Sequence, residues 1–210
     1  MNNQKLLSVE NLTISFKREK EFIPVVHQLT YELYENEILG IVGESGSGKS
    51  VSSMAIMGLL PSSISKIANG SIVFEGKDIS LLSDQEFQKI RGNEIAMIFQ
   101  EPMTALNPLM TVGQQISEVL QLKKLLPRRD ADWRAVHLLS ETGIDDPERR
   151  FGAYPHQLSG GQRQRAMMAM ALASEPKLLL ADEPTTALDA SLRLQMLQLL
   201  ADLQQKTGMA

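Results

Sequence analysis

Cysteine is absent from this chain of 210 residues. Without thiols the chain can form neither a disulfide framework nor a thiolate zinc site, and it has no cysteine nucleophile. A cysteine-free composition suits a reducing compartment. We therefore expect the protein to work in the cytoplasm.

Long apolar stretches are missing as well. The longest apolar run covers residues 166–173, whereas a membrane-spanning helix needs about 20 apolar residues. The N-terminus, MNNQKLLSVENLTISF, lacks the basic start and apolar core of a signal peptide. If a membrane matters to this protein, we expect a partner to supply it.

The chain also lacks an excess of positive charge. Lys and Arg number 21 against 25 Asp and Glu, which gives a formal net charge of −4. Proteins that hold nucleic acid by its phosphates usually present a basic face, so the composition argues against a nucleic-acid partner. A hydrophobic content of 43% excludes a disordered or collagen-like chain. The length predicts one ordinary domain, or a domain with a small subdomain.

Short apolar runs predict the sheet structure. Three of them are too short for helices and are each followed by a polar loop leading to a helical pattern: 38–42, 95–99 and 178–181. This arrangement favours a parallel sheet covered by helices on both faces. Other runs alternate in polarity and predict an antiparallel sheet at the N-terminal side: 7–16, 25–33 and 71–74.

Helical patterns fill the region between residues 111 and 175. Thr111 can cap a helix over 112–126, Pro127 ends it, and Asp130 opens another helix that runs toward Gly143. These helices predict a helical subdomain. A last helix is predicted over 189–207, with one apolar stripe and Gly208 just after its end.

A glycine-rich loop carries the first chemical motif. Residues 43–50 read GESGSGKS and match G-x-x-x-x-G-K-[ST] at every fixed position. Its glycines allow successive N–H groups to point at one phosphate, and the following helix N-terminus reinforces that attraction. Lys49 then neutralises the β and γ phosphates, and the Ser50 hydroxyl is placed to bind Mg²⁺. The alternative is a glycine-rich turn with an accidental lysine. The predicted nucleotide-binding residues here are Gly43, Glu44, Ser45, Gly46, Ser47, Gly48, Lys49, Ser50 and Val51.

Two carboxylates follow the predicted strand 178–181. They lie at the strand end where open α/β sheets bind ligands. Asp182 would hold Mg²⁺ through water, and Glu183 is suited to orient or deprotonate the water that attacks the γ phosphate. The alternative is a strand end that turns into solvent with acidic residues.

The segment LSGGQ, at residues 158–162, opens another helical stretch. Ser159 is suited to cap that helix, and the two glycines allow an anion to approach its N-terminus closely. A capped helix start without a ligand is the alternative.

With these motifs in this order, the chain resembles the ATPase subunits of ATP-binding cassette (ABC) transporters, from about residue 5 to its last residue. The resemblance implies an α/β P-loop NTPase core with a parallel sheet and helices on both faces, an N-terminal antiparallel β subdomain and an α-helical subdomain. It assigns 1–99 and 176–210 to the nucleotide-binding core, and 100–175 to the Q-loop and helical subdomain ending in the signature motif. It also implies ATP and Mg²⁺ as cofactors.

The resemblance further assigns roles to individual residues. Two domains of the family pair head to tail, so Ser159, Gly160 and Gly161 would contact a γ phosphate held by the opposite subunit, with Gln162 supporting them. Gln100 resembles the glutamine that senses Mg²⁺ and the attacking water, and Asp189 resembles an aspartate at the dimer seam. Phe16 is placed to stack on adenine, with a core position as an equal alternative. The expected catalytic residues are Glu183, Gln100 and Lys49, and the expected metal ligands are Ser50, Gln100 and Asp182.

Longer segments narrow the resemblance. Residues 99–108 (FQEPMTALNP), 111–116 (TVGQQI) and 154–158 (YPHQL) are similar to the branch that energises uptake of oligopeptides, dipeptides and nickel, although Ala105 stands where serine is more common. A polar-amino-acid or metal importer is the alternative within the family. The implied partners are a second, identical or different ATPase subunit, membrane permease subunits and, indirectly, a solute-binding protein. The implied location is the cytoplasmic face of the inner membrane.

A rival class is the soluble ABC-type ATPase that acts on nucleic acid or in translation without a membrane partner. The missing cysteines, the acidic balance and the compact insert between Gln100 and Ser159 argue against it. In the family, the last helix seen here is followed by another strand and a histidine that contacts the γ phosphate. We therefore expect the chain to be incomplete at its C-terminus, to bind ATP and to hydrolyse it poorly by itself.

Overall fold

The computed structural model describes residues 4–99, 105–186 and 190–210. Contacts between Cα atoms divide the chain into two compact units, the first of residues 1–91 with 208–210 and the second of residues 92–207. The division by function predicted above, into a core and a helical subdomain, stays a prediction. Gln100 and Asp189 lie outside the described residues.

An antiparallel sheet dominates the first unit. Its strands are β1 (Lys5–Arg18), β2 (Glu21–Tyr34), β3 (Ser65–Phe74) and β4 (Lys77–Asp78), in the spatial order β2-β1-β3-β4. The N-terminal antiparallel sheet predicted from alternating polarity is confirmed, with longer strands. Several of its apolar side chains are fully buried and form the core of this unit: Leu7, Leu12, Ile14 and Ile72.

Two helices accompany the sheet: α1 (Lys49–Ile56) and α2 (Asp84–Ile90). α2 begins at a capping box, in which the Ser83 hydroxyl accepts from Glu86 N and the Glu86 carboxylate accepts from Ser83 N. This local pattern satisfies two backbone donors that a helix start otherwise leaves open.

The strand predicted over residues 38–42 is wrong. These residues adopt no regular secondary structure, and their side chains are exposed, with Val42 at 97% and Ile38 at 63%. No strand in the described part of the chain pairs with them. A β-strand needs a neighbouring backbone to satisfy its N–H and C=O groups, so an apolar run alone does not produce one.

A parallel pair of strands lies in the second unit. β5 (Ile95–Ile98) runs beside β6 (Leu178–Ala181) with Ile95 opposite Leu178. Both strands were predicted, and their parallel pairing is confirmed. The hydrogen bond from Asp182 N to Ile98 O, at 3.0 Å, extends this ladder by one residue beyond β6. The carboxyl ends of both strands therefore meet at one edge, where Asp182 begins the next segment.

Five α-helices with defined bounds lie in the described part of the second unit. They are α3 (Val112–Lys124), α4 (Arg128–Glu141), α5 (Pro147–Phe151), α6 (Gly160–Leu172) and α7 (Ala190–Thr207). The predicted boundaries hold to within a few residues, because the signals are local: Thr111 caps α3, and Gly143 and Gly208 follow α4 and α7 with φ of 74°. None of the helices in the described ranges combines the length and apolar character that crossing a bilayer requires.

Glu141, the last residue of α4, gathers three basic side chains. Its carboxylate accepts from Arg134 Nη1 at 3.1 Å and from Lys206 Nζ of α7 at 2.5 Å, and His137 Nδ1 lies 3.7 Å away. The Glu141 side chain is only 16% exposed. Burial alone raises the pKa of this carboxyl, but the Lys206 hydrogen bond and the charges of Arg134, Lys206 and His137 outweigh it and hold the pKa below its ordinary value. The cluster ties α7 to α4.

Replacing this carboxylate should lower stability in a pH-dependent way. Because the pKa of Glu141 is lower in the folded state, its stabilisation is present above the unfolded pKa of about 4.3 and is lost as the pH falls through the folded value. We expect Glu141→Gln to cost about 1 kcal/mol at pH 7. This corresponds to a fall of about 2–4 °C in melting temperature. Thermal melts at several pH values measure it.

Glu32→Gln provides the matched control for this effect. Glu32 accepts from Lys5 Nζ at 2.5 Å, but both side chains are more than two-fifths exposed, so solvent screens the pair. Its melting temperature should change less than that of Glu141→Gln. A Glu141→Gln deficit as large at pH 3 as at pH 7 would contradict the assigned role of the carboxylate.

Candidate functional site

The glycine-rich loop of the first unit leads directly into α1. Gly48 is the N-cap of that helix, with φ of 94°, and it has no side chain that could bond the first helical N–H groups. Lys49 Nζ donates to Gly43 O at 2.7 Å and to Glu44 O at 2.9 Å, which holds its ammonium over the loop. The arrangement concentrates positive charge and N–H donors at one exposed helix start, which suits a phosphate group.

Strand β2 supports this loop. A Cβ atom placed on Gly48 would lie 2.7 Å from Val26 Cγ2 and 3.3 Å from Val25 O, so the loop backbone packs directly on β2. Two features of position 48 require glycine: its left-handed backbone conformation and the close approach of β2. Sequence reasoning identified Gly48 from the motif, but nothing in the motif indicated Val25 or Val26.

Gly48→Ala should therefore damage nucleotide binding. An L-residue at this φ is strained by about 1–2 kcal/mol, and its methyl group would displace the loop from Val26. We expect the dissociation constant for MgATP to rise by about tenfold or more, which is at least about 1.4 kcal/mol. Calorimetric titration with MgATP measures the change.

Gly40→Ala is the matched control, because a Cβ atom at Gly40 would meet nothing within 4 Å. Its φ is not in the left-handed region. Its MgATP affinity should equal that of the unchanged protein. If Gly40→Ala and Gly48→Ala weakened binding equally, the contact with Val26 would have no special importance.

Phe16 lies in the antiparallel sheet whose strand β2 contacts the loop. It is half-buried in β1 and stands opposite Ile23 of β2 and Ser65 of β3. Ile23 precedes Val25 by two residues, and the backbone oxygen of Val25 lies beside Gly48 of the loop. The side chains of Ile23 and Val25 are both partly exposed. Phe16 and Ile23 thus form an apolar surface in the unit that carries the loop. Stacking of Phe16 on adenine stays a prediction, and Ile23 is a candidate that only the strand register indicates.

The acidic pair follows β6 in the second unit. Asp182 is 8% exposed, and the backbone bond to Ile98 fixes it at the carboxyl edge of the parallel strands. Glu183 has a positive φ of 46°, and its Oε2 accepts from Thr186 Oγ1 at 2.9 Å. A non-glycine residue in this conformation is strained, and such strain clusters at functional sites. The carboxylate of Glu183 is therefore held in one orientation by a neighbour that the sequence analysis did not single out, Thr186.

The LSGGQ segment forms the start of α6. Ser159 is its N-cap: the hydroxyl accepts from Gln162 N at 3.3 Å, and the Gln162 side chain accepts from Ser159 N at 3.1 Å. The predicted cap is confirmed. Ser159 and Gly160 are exposed, and a Cβ atom on Gly160 would meet nothing within 4 Å. The helix start is open to a ligand or to another chain, as an anion site at a helix N-terminus requires.

Two arginines that the motif analysis left out hold this helix. Arg163 Nε donates to Pro155 O at 2.6 Å, and Arg165 Nη1 donates to Thr142 O at 2.9 Å. Thr142 is the C-cap of α4, so Arg165 supplies a cation to a helix C-terminus. These bonds join residues 8 and 23 positions apart, beyond the three or four positions over which capping signals act, so no cap motif indicates them.

A magnesium site remains a prediction. Ser50 supplies a hydroxyl in the first turn of α1, and Asp182 supplies a carboxylate, both oxygen ligands of the kind that Mg²⁺ prefers. These two residues lie in different units, and Gln100 lies outside the described residues, as does Asp189. Within 4–99, 105–186 and 190–210, no cluster of three or more His, Cys, Asp or Glu side chains could hold a metal.

Known proteins similar in sequence to this chain include ATP-binding proteins of transporters. A family model described as ABC transporter matches residues 26–186. The chain is 52% identical to the oligopeptide transport ATP-binding protein AppD of Bacillus subtilis, over 96% of this chain and 61% of that protein. It is 48% identical to the dipeptide transport ATP-binding protein DppD of Escherichia coli, over 98% of this chain and 62% of that protein.

Another relative is considerably longer. The chain is 49% identical to the peptidoglycan transport ATP-binding protein YejF of Agrobacterium fabrum, over 100% of this chain and 38% of that protein. The chain therefore spans between 38% and 62% of the length of these three curated relatives.

Solved structures share the fold. The ATP-binding cassette MJ0796, as a dimer in a post-hydrolysis state bound to ADP and Pi, matches with a TM-score of 0.85 and 32% identity, over 97% of this chain and 84% of that one. The protein cbiO1 of Clostridium perfringens, part of the transporter complex cbiONQ, matches with a TM-score of 0.81 and 28% identity, over 98% and 76%.

Proposed function

The chain belongs to the ABC transporter family, and from that membership we propose that it binds and hydrolyses ATP to power a membrane transporter. The fold is that of an α/β P-loop ATPase cassette, as in the solved cassettes that it matches. The observation that carries the proposal is the phosphate loop: an uncapped start of α1 with the Lys49 ammonium held over Gly43 and Glu44.

The transported solute is proposed to be a dipeptide or oligopeptide, or a related solute such as nickel. Two of the three relatives named above, AppD at 52% identity and DppD at 48%, are ATP-binding proteins of oligopeptide and dipeptide transport. The segments 99–108 and 154–158 resemble the same branch. A polar-amino-acid or metal importer is the alternative within the family.

The working unit is proposed to contain two ATPase subunits. MJ0796 forms a dimer, and the exposed start of α6 at Ser159 and Gly160 suits contact with a phosphate that another subunit holds. The proposed transporter also contains permease subunits in the membrane and works, indirectly, with a solute-binding protein. The chain would then act at the cytoplasmic face of the inner membrane as a peripheral subunit.

The catalytic chemistry is assigned to a few side chains. The loop N–H groups and Lys49 bind the phosphates, and Ser50 and Asp182 would hold Mg²⁺, which supplies charge neutralisation when bound. Glu183 orients or deprotonates the attacking water, and its bond from Thr186 fixes the direction of the carboxylate. Gln100 would sense Mg²⁺ and the attacking water, and Asp189 would lie at the dimer seam, as the family resemblance implies.

Solute-stimulated ATP hydrolysis tests the proposal. The full-length protein would be purified together with its membrane subunits in lipid vesicles, and hydrolysis measured with dipeptides, pentapeptides, Ni²⁺ or single amino acids supplied with the solute-binding protein. If peptides stimulate ATP hydrolysis, the peptide assignment is supported. If only Ni²⁺ or only amino acids stimulate it, that solute becomes the assigned substrate instead of a peptide. Failure of the purified protein to bind MgATP would overturn the whole proposal.

The alternative outside transport is a soluble ATPase acting on nucleic acid or in translation. None of the relatives reported above supports it, and the net charge of −4 argues against it. Hydrolysis stimulated by DNA or RNA, with no membrane subunits recovered on purification, would favour this alternative.

A further inference from the structure

We propose that Arg91 is a positioning residue for the phosphate loop, acting through the far end of α1. The inference rests on the proposed binding of ATP by that loop. Arg91 belongs to no motif of the sequence, and it lies 42 residues beyond Lys49. Its side chain reaches the end of α1 opposite to the loop.

The Arg91 guanidinium holds two consecutive carbonyl groups at the end of α1. Nε donates to Met57 O at 3.0 Å and Nη2 donates to Gly58 O at 2.8 Å. Three earlier carbonyls of the last turn accept from the backbone instead: Met57 N donates to Ser53 O, Leu59 N to Met54 O and Gly58 N to Ala55 O. Arg91 therefore completes the C-terminus of α1 with a cation, which suits the negative end of the helix dipole.

Packing fixes the arginine and the helix end together. Phe87 of α2 is buried, and its ring lies against Gly58, where an added Cβ atom would be 2.6 Å from Cδ2. The Arg91 guanidinium lies 5.6 Å from the centre of the same ring. Gly58 has a φ of 61°, so both its conformation and its contact with Phe87 exclude a larger residue. The capping box of Ser83 and Glu86 starts α2, so the helix that carries Phe87 and leads to Arg91 is itself well defined.

The contact of Arg91 with the end of α1 can affect the loop because the helix that joins them is short. α1 has eight residues, which makes it about 12 Å long. A tilt of about 10° around its C-terminal end would move Lys49 and the N–H groups of the loop by about 2 Å at that length. Displacements of about 1 Å in a binding site can cost two orders of magnitude in function. Holding the end of α1 thus maintains the direction of the donors at its start.

MgATP titration of the full-length protein with replaced Arg91 tests the inference. Arg91→Met should raise the dissociation constant for MgATP by about tenfold. Arg91→Lys keeps the charge but cannot hold both carbonyls in the same fork, so it should raise the constant by a smaller factor. Arg149→Met is the matched control, because Arg149 is exposed, pairs only loosely with Asp146 at 3.8 Å, and should leave the constant unchanged.

Measuring the bound stoichiometry and the melting temperature separates positioning from folding. If Arg91 only stabilised the fold, the variants would melt earlier and bind fewer molecules of MgATP, but the folded fraction would bind with unchanged affinity. Unchanged affinity in Arg91→Met, or in Arg91→Lys should the first variant fail to fold, overturns the inference. If the unchanged protein did not bind MgATP, the proposed function itself would fail instead.

Discussion

Lys49→Ala is expected to lower the affinity for MgATP by about 10²-fold and to remove ATP hydrolysis. In the structure the Lys49 ammonium donates to Gly43 O and Glu44 O, so its charge is already held where phosphates would bind. A hydrogen bond between a charged pair contributes about 1.5–3 kcal/mol, and the ammonium can reach two phosphate groups. Alanine retains the helical backbone of α1 and removes only these contacts, so the protein should stay folded.

Lys5→Ala provides the matched control for the loss of a lysine. Lys5 lies in the same unit and pairs with Glu32 on the exposed sheet, so its removal should leave the titration with MgATP unchanged. Calorimetry measures binding, and phosphate release measures hydrolysis. Near-normal binding in Lys49→Ala would show that the loop does not hold the nucleotide.

Glu183→Gln should bind MgATP normally and hydrolyse it about 10²- to 10⁴-fold more slowly. Glutamine keeps the size of the side chain and can still accept from Thr186 Oγ1, but it cannot take a proton from water. Glutamine can adopt the same positive φ of 46° as Glu183, so the backbone of the variant should match that of the unchanged protein. The separation of intact binding from lost turnover identifies a group that acts in the chemical step.

Two further substitutions give this prediction its controls. Glu175 also has a positive φ, 52°, but it is exposed and pairs with Lys124, so Glu175→Gln should hydrolyse ATP at the normal rate. Thr186→Val removes the hydroxyl that orients Glu183 and should slow hydrolysis by a smaller factor than Glu183→Gln. Normal turnover in Glu183→Gln would assign the activation of water to another residue.

Most of the secondary structure could be predicted from the sequence because its signals are short-range. The cap at Thr111, the cap at Ser159 and the stop at Gly208 each depend on residues within three or four positions. The parallel strands β5 and β6 could be predicted from their continuous apolar character, and the antiparallel sheet from its alternation. The segment 38–42 shows the limit, since its apolar residues indicated a strand for which the described chain offers no paired neighbour.

The sequence by itself determined which motifs this protein carries: a glycine-rich loop at 43–50, an acidic pair at 182–183 and a capped helix start at 158–162. Each motif is a run of adjacent residues, so it can be identified from the order of the residues alone. Only the tertiary structure decided which distant side chains meet the ends of the helices. Arg91 on Met57 at the end of α1, Arg165 on Thr142 at the end of α4, and Lys206 on Glu141 make contacts set by packing. Residues that contact each other across many intervening positions share no local sequence pattern. Such contacts can therefore be identified only in the folded structure.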